Sequence, residues 1–188
     1  MEALENVYAG WRKKPMRYIA DTVDFELEEP TVVTLGKFDG RHRGHQKLLH
    51  TMEEVKESLG YATAIFTFST APLNLVTGET ATVITTSEER RHNMEKMGID
   101  YLVEYPFTDD VRKMDPAVFV KDILVKRMKA KAVVVGPDCS FGYKGAGNVE
   151  LLRTLSRELD FRLYVIEKEK DHRRDISSTY IREELSRG

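Results

Sequence analysis

Cysteine is almost absent from this chain of 188 residues, which holds only Cys139. A single thiol excludes an intramolecular disulfide framework and fits a reducing compartment, the cytoplasm by default. Charge of one sign is also lacking, since 29 Lys plus Arg stand against 31 Asp plus Glu for a net charge of -2. Such a balance offers no general attraction to nucleic acid, so anion binding has to be local and no nucleic-acid partner is expected. No apolar run reaches the roughly 18 residues of a bilayer-spanning helix, and no apolar signal-peptide core is present, so no membrane partner is expected. Repeats and low-complexity tracts are missing too. Neither a Walker Gly-x-x-x-x-Gly-Lys-Ser/Thr nor a dinucleotide-type G-x-G-x-x-G occurs. Zinc finds no ligand set, because His42, His45 and His50 have no partners at a standard spacing; no metal ligands are assigned.

What is present is 41% hydrophobic content, enough to bury the core of one ordinary domain. Strand-like and helix-like segments alternate along the chain, the mark of a parallel sheet covered by helices. Buried strands are expected at Thr31 to Leu35, Tyr61 to Phe68, Asp100 to Tyr105, Ala132 to Val135 and Phe161 to Ile166. Helices are expected from Gly44 to Ser58, closed by Gly60, and from the capping box Thr86-Ser87-Glu88-Glu89 to about Met97, closed by Gly98. Two more are expected from Asp115-Pro116 to about Lys129 and from about Asn148 to Leu159, and a closing helix from about Ser178. Five strands with interleaved helices predict a doubly wound, Rossmann-like α/β sheet. Ligands bind outside the carboxyl ends of such strands. The loops at 36–44, 68–78 and 136–147 leave those ends and should converge on one cleft, joined by 171–181. Residues 1–15 fit the alternation poorly and read as an N-terminal extension, disordered or loosely packed, ahead of a domain at 16–188.

The run Gly36-Lys37-Phe38-Asp39-Gly40-Arg41-His42-Arg43-Gly44-His45 stands at the first strand-to-helix turn. Free N–H groups and the positive helix end stabilise phosphates at such a turn. Gly36, Gly40 and Gly44 let the backbone approach a ligand. His42 and His45, three residues apart, would face one ligand together if the helix has begun by His42. Near the other terminus, Ser177-Ser178-Thr179 with Arg182 combines helix-capping hydroxyls with a guanidinium that can grip phosphate oxygens bidentately. The glycine-rich stretch from Gly136 through Asp138, Cys139, Ser140, Phe141 and Gly142 to Asn148 follows an all-apolar strand.

Four of these motifs, the Gly36 to Gln46 run, Phe66-Thr67-Phe68, Val133 to Gly142 and Ile176 to Arg182, stand in the order and spacing of one family. From about Met16 onward the chain resembles the FAD synthetase (FMN adenylyltransferase) module of bacterial bifunctional riboflavin kinase/FAD synthetases, in the His-x-Gly-His nucleotidyltransferase superfamily. The resemblance implies transfer of AMP from ATP to FMN, giving FAD and pyrophosphate, with Mg2+ bridging phosphates and bound mostly through substrate and water. It implies His42, His45, Ser178 and Arg182 as catalytic groups, and Gly36, Phe38, Asp39, Gly40, Gly44, Ser177 and Thr179 as ATP-binding. It implies Phe68, Asp138 and Phe141 as flavin-binding, with an aromatic ring free to stack on the isoalloxazine.

The chain departs from the family pattern on the flavin side. Asp138-Cys139-Ser140-Phe141-Gly142 stands where Asp-Phe-Arg-Phe-Gly is usual, and Gly145-Ala146-Gly147-Asn148 replaces an Arg/Lys-x-Gly-Asp. Ser69-Thr70-Ala71-Pro72 stands for a frequent proline-histidine-proline run, and Lys37 for a frequent Asn. The loop changes bear on flavin affinity more than on ATP chemistry, whereas Lys37 is a milder change and Arg41 adds a charge near the phosphates. Two alternatives stay open beside FMN adenylylation: the same fold with another phosphorylated acceptor, or a nucleotide-binding module of low turnover left without its kinase domain. Family members continue into a riboflavin kinase barrel, so that activity is not expected of this segment and a separate kinase domain or protein would be its partner.

Overall fold

The structure is a computed structural model that describes residues 15–36, 38, 43–69, 86–167, 170–171 and 174–175. The expected order appears in it. Strand β1 spans Arg17–Ala20, β2 Thr31–Leu35, β3 Ala62–Phe68, β4 Tyr101–Tyr105, β5 Ala130–Val135 and β6 Arg162–Val165. They form one sheet in the order β1-β4-β3-β2-β5-β6, every neighbouring pair parallel. The direction of winding reverses between β2 and β5, so the two halves meet there.

Helices cover both faces. Helix α1, Arg43–Leu59, places Leu49, Met52 and Val55 against Val32, Ile65, Leu102 and Val134, and α2, Ser87–Lys96, adds Met94 to the same layer. Full burial of side chains the size of Leu49 and Met52 is worth about 1.5–3 kcal/mol each. Alternate strand positions face the other way. There Val33, Phe66, Val103, Val133 and Val135 pack against the segment from Pro116 and against Leu152 and Leu155 of α5, Val149–Glu158. Between them lie two short helices, α3 at Asp109–Arg112 and α4 at Pro116–Val118.

Punctuation follows the sequence closely. Thr86 and Glu89 close a reciprocal capping box on α2, which holds the Glu89 carboxyl below its ordinary value through the Thr86 backbone N–H. Asp115 Oδ1 accepts from the N–H groups of Ala117 and Val118, and Asn148 caps α5 through Leu151. Gly60 and Gly98, both at positive φ, follow α1 and α2.

Three features differ from expectation. The sheet has six strands, because β1 adds itself to the outer edge of β4. Four residues with a half-exposed pattern carry no periodicity that marks a strand. A two-stranded hairpin, β7 at Lys170–Asp171 and β8 at Arg174–Asp175, follows β6. The helix expected from Asp115 to about Lys129 is α-helical only through Val118 and then winds as a π-helix over Phe119–Arg127. Its buried residues, Phe119, Val120, Ile123, Leu124 and Met128, are four to five apart along the seam, which suits i→i+5 bonding as well as an α-helix. The expected closing helix and residues 1–14 of the extension expected at 1–15 lie outside the described residues.

Two polar side chains in this core make testable contributions. Thr34, on β2, is fully buried and its Oγ1 has no hydrogen-bond partner among the described residues. Its isosteric replacement Thr34→Val should raise stability by about 1 kcal/mol in urea unfolding, the scale of an unpaired buried hydroxyl; a loss would show that the hydroxyl is satisfied. Glu53, on α1, buries an Oε2 that has no hydrogen-bond partner among the described residues. Desolvation raises its carboxyl above the ordinary 4.5, with Lys56 opposing and Glu57 and Asp100 reinforcing. A raised carboxyl contributes stability below its unfolded value and loses it as pH rises through the folded one. Glu53→Gln should therefore be more stable than the parent near neutral pH by about 1 kcal/mol, the difference closing toward pH 4. A constant difference across pH would exclude titration of Glu53 as its source.

Candidate functional site

The carboxyl ends of β2, β3 and β5 are adjacent in the sheet, and each opens into a stretch singled out by sequence. Gly36 follows β2, Gly136 follows β5, and Phe68 ends β3. The β2 and β5 loops flank the point where winding reverses, the place where doubly wound sheets bind ligands. Helix α1 begins at Arg43, so its free N–H groups and positive end lie beside that crevice.

On the β2 side, the Gly36 N–H donates to the Phe66 carbonyl at 3.2 Å, holding the loop onto β3. Gly44 and His45 belong to the first turn of α1, and His45 is half-buried. Its ring lies against Phe38, centroids 4.7 Å apart with a 32° tilt. Phe38, expected at ATP, is 2% exposed and packs in the layer beneath α1. Its ring is part of the floor under the loop. Asp39, Gly40, His42, Ser177, Ser178, Thr179 and Arg182 lie outside the described residues.

On the β5 side the glycine-rich loop is a built structure. Cys139 N–H closes a turn on the Gly136 carbonyl at 3.2 Å. Phe141 and Gly147 exchange both backbone hydrogen bonds, at 3.1 and 2.8 Å, and the Tyr143 N–H donates to the Met114 carbonyl at 2.8 Å. Phe141 is 8% exposed, its ring 5.7 Å from that of Phe119 and lying where a Cβ on Gly147 would fall, only 2.4 Å from Phe141 Cε2. The ring expected to be free for stacking is thus the anchor of its loop. Asp138 is exposed. Cys139 is half-buried, and burial, reinforced by Asp138, pushes its thiol up to about 11.

Phe68 is half-buried at the end of β3, edge-on to Phe66 at 5.2 Å and to Phe107 at 4.9 Å. Two aromatics escaped the sequence reading. Phe107 directly follows Pro106 after β4, and Tyr143 stands between Gly142 and Gly145, exposed and with Lys144 Nζ 5.3 Å from its ring centre. An aromatic on a strand-end loop is the signal that could have drawn attention to both. Among the described residues no three His, Cys, Asp or Glu side chains are grouped to hold a metal ion, and no helix is long and apolar enough to cross a membrane.

The fold has close relatives in solved structures. One titled as a macrolide-efflux protein from Streptococcus pneumoniae superposes with a TM-score of 0.74 at 24% identity, covering 90% of this chain and 55% of its own, a likeness of fold. In sequence the chain is 31% identical over 171 residues to the bifunctional riboflavin kinase/FMN adenylyltransferase of Listeria monocytogenes, covering 89% of this chain and 53% of that protein. It is 30% identical over 162 residues to the protein of the same name from Buchnera aphidicola of Acyrthosiphon pisum, covering 86% and 52%. The chain thus spans about half the length of the curated relatives it matches. The profile described as FAD synthetase matches residues 24–180, a span that takes in β2 with its glycine–histidine turn, the aromatic end of β3 and the loop after β5, and on that match the chain belongs to the FAD synthetase family.

Proposed function

We propose that this chain transfers the adenylyl group of ATP to FMN, forming FAD and releasing pyrophosphate. The observation that carries this reading is that Gly36, at the end of β2, and His45, on the first turn of α1, stand at the winding reversal. A phosphate oxygen of FMN attacks the α-phosphorus of ATP; one P–O bond forms there, and the bond to the β-phosphate bridge breaks as pyrophosphate leaves. No protein nucleophile is needed. What such a reaction requires is alignment of the attacking oxygen and fixed donors where charge grows.

His45 is assigned as one such donor, acting with the positive end of α1. His42, Ser178 and Arg182 are assigned beside it by family resemblance, with Ser177 and Thr179 holding the departing phosphates and Gly36, Asp39, Gly40 and Gly44 giving close backbone approach. Phe68, with Phe107 beside it, is the half-buried aromatic edge offered to the flavin, and Asp138 the exposed acceptor on the opposing loop. Magnesium is read as part of the substrate, carried by the ATP phosphates. The boundary of the catalytic module at Met16 is supported by the packing of Met16 against the layer under α1 and by the start of β1 at Arg17.

His45→Ala should lower turnover at least about tenfold, the scale of losing a transition-state donor. Unchanged turnover would remove that role. The reading as a whole is tested by mixing the chain with FMN, ATP and magnesium and resolving FAD and pyrophosphate by chromatography, with riboflavin as a parallel acceptor. FAD from FMN alone supports it. ATP consumption without FAD would favour another phosphorylated acceptor, a second reading motivated by Cys139 and Ser140 in the β5 loop. Binding of ATP without turnover would point to a nucleotide-binding module whose partner domain is elsewhere.

A further inference from the structure

Phe38 combines three properties seldom found together. It has a φ of +47°, a left-handed conformation that a bulky side chain adopts only where its surroundings hold it. Its ring is 2% exposed, enclosed in the layer of Val32, Leu49, Met52, Ile65 and Val134. The same ring lies against the imidazole of His45, seven residues further on, at 4.7 Å between centroids. Gly36 allows the ring to fold back under the loop, since a Cβ at Gly36 would stand 3.1 Å from Phe38 Cε2.

A backbone strain borne to bury one ring would serve the core alone if that ring met only aliphatic neighbours. Here the face left over meets the functional imidazole. An imidazole on the first turn of a helix has its χ1 constrained by the turn, while its ring plane about χ2 is set by what packs and bonds against it. The Phe38 ring is one such contact, and it shares its buried layer with Leu49 and Met52 of the same helix that carries His45.

We propose that Phe38 is a positioning residue for His45: it fixes the imidazole plane toward the crevice and does not itself touch nucleotide. This rests on the assignment of His45 as a phosphate donor. Misplacement of a reacting group by about 1 Å costs on the order of a hundredfold in rate. Phe38→Leu, which keeps an apolar filler and loses the flat face, should therefore lower kcat for FAD formation at least about tenfold and leave the ATP KM within about threefold. In a His45→Gln background the same change should cost less than about twofold, because residues acting as one unit are not additive.

Multiplying losses in the double variant, or an unchanged kcat in Phe38→Leu, would overturn the proposal. A second readout is independent of turnover. In protein labelled at histidine, the His45 imidazole signals, identified by their loss in His45→Gln, should carry a ring-current displacement that disappears in Phe38→Leu, or in Phe38→Met if the leucine variant does not fold. Unmoved signals would overturn it as well. If the parent chain makes no FAD, the proposed function fails, while the imidazole signals still decide whether Phe38 seats His45.

Discussion

Arg90→Ala is expected to lower stability by about 3–5 kcal/mol, the cost of leaving a buried charge without its partner. Arg90 of α2 donates from Nη2 to Glu104 Oε1 at 2.5 Å, and the Tyr18 hydroxyl donates to Oε2 of the same carboxylate at 2.5 Å. Glu104 is 4% exposed, so removing the guanidinium strands Oε1 and leaves a buried carboxylate held by the Tyr18 hydroxyl alone. Other ion pairs of the chain make the contrast. Arg17 and Glu28 meet at 2.6 Å, but their side chains are 49% and 77% exposed, and such a pair contributes about 0–1 kcal/mol.

The network also ties three elements together. Glu104 lies in β4, Tyr18 in the edge strand β1 and Arg90 in α2, and Arg91 rests 5.0 Å from the Tyr18 ring centre. Burial and the bond to Glu104 push the Tyr18 hydroxyl up to about 12, so it remains a donor throughout the working pH range. At about 2–4 °C per kcal/mol for a chain of this size, Arg90→Ala should melt roughly 10 °C below the parent. The double replacement Arg90→Met with Glu104→Val should recover most of that loss, because apolar groups of similar volume carry no desolvation cost. A loss under about 1 kcal/mol in Arg90→Ala would mean that water reaches Glu104 when the guanidinium leaves.

That network explains why one strand of the sheet was not legible in the sequence. Apolar runs marked β2 to β6, since β2 to β5 bury both faces and β6 keeps an apolar run at the sheet edge, so the signal is the residues themselves. Strand β1 has no such run. It is held by hydrogen bonds to β4 and by Tyr18, whose partner Glu104 is 86 positions away, and a glutamate inside an otherwise apolar strand reads as an exposed position. The π-helical winding of Phe119–Arg127 was hidden for a related reason: the apolar positions are the same whether bonds close four or five residues apart. At the site, the position of the glycine–histidine run between β2 and α1 was legible, because an apolar strand run precedes it and a helical pattern follows it. Phe38 was assigned to the ATP loop and Phe141 to the flavin by family resemblance, and a loop aromatic has no periodicity to betray its burial. Only the packing against His45 in one case and Phe119 in the other shows where each ring goes.

The β5 loop offers the sharpest test of that packing. Gly142→Ala is expected to cost about 3 kcal/mol, combining left-handed strain of roughly 1–2 kcal/mol with a steric overlap. Gly142 has φ +73° and ψ -170°, a region essentially reserved for glycine. A Cβ there would stand 2.6 Å from Pro116 Cβ, 2.7 Å from its Cα and 2.9 Å from its nitrogen. Pro116 cannot retreat cheaply, since Asp115 caps the turn it opens and Phe119, one turn on, packs against Phe66 and Phe141. The comparison that isolates the overlap is Gly145→Ala. Gly145 also has positive φ, at +68°, but its nearest neighbour would be Ser140 Cβ at 3.7 Å, so only the strain of roughly 1–2 kcal/mol remains. The two variants should differ by about 1–2 kcal/mol in urea unfolding; equal losses would show that the loop swings away from Pro116 at no cost. Should it swing, the Tyr143 bond to Met114 and the seat of Phe141 are lost with it. Under the proposed FMN adenylylation, the effect then moves from stability to the acceptor side, as a raised FMN KM at an unchanged ATP KM.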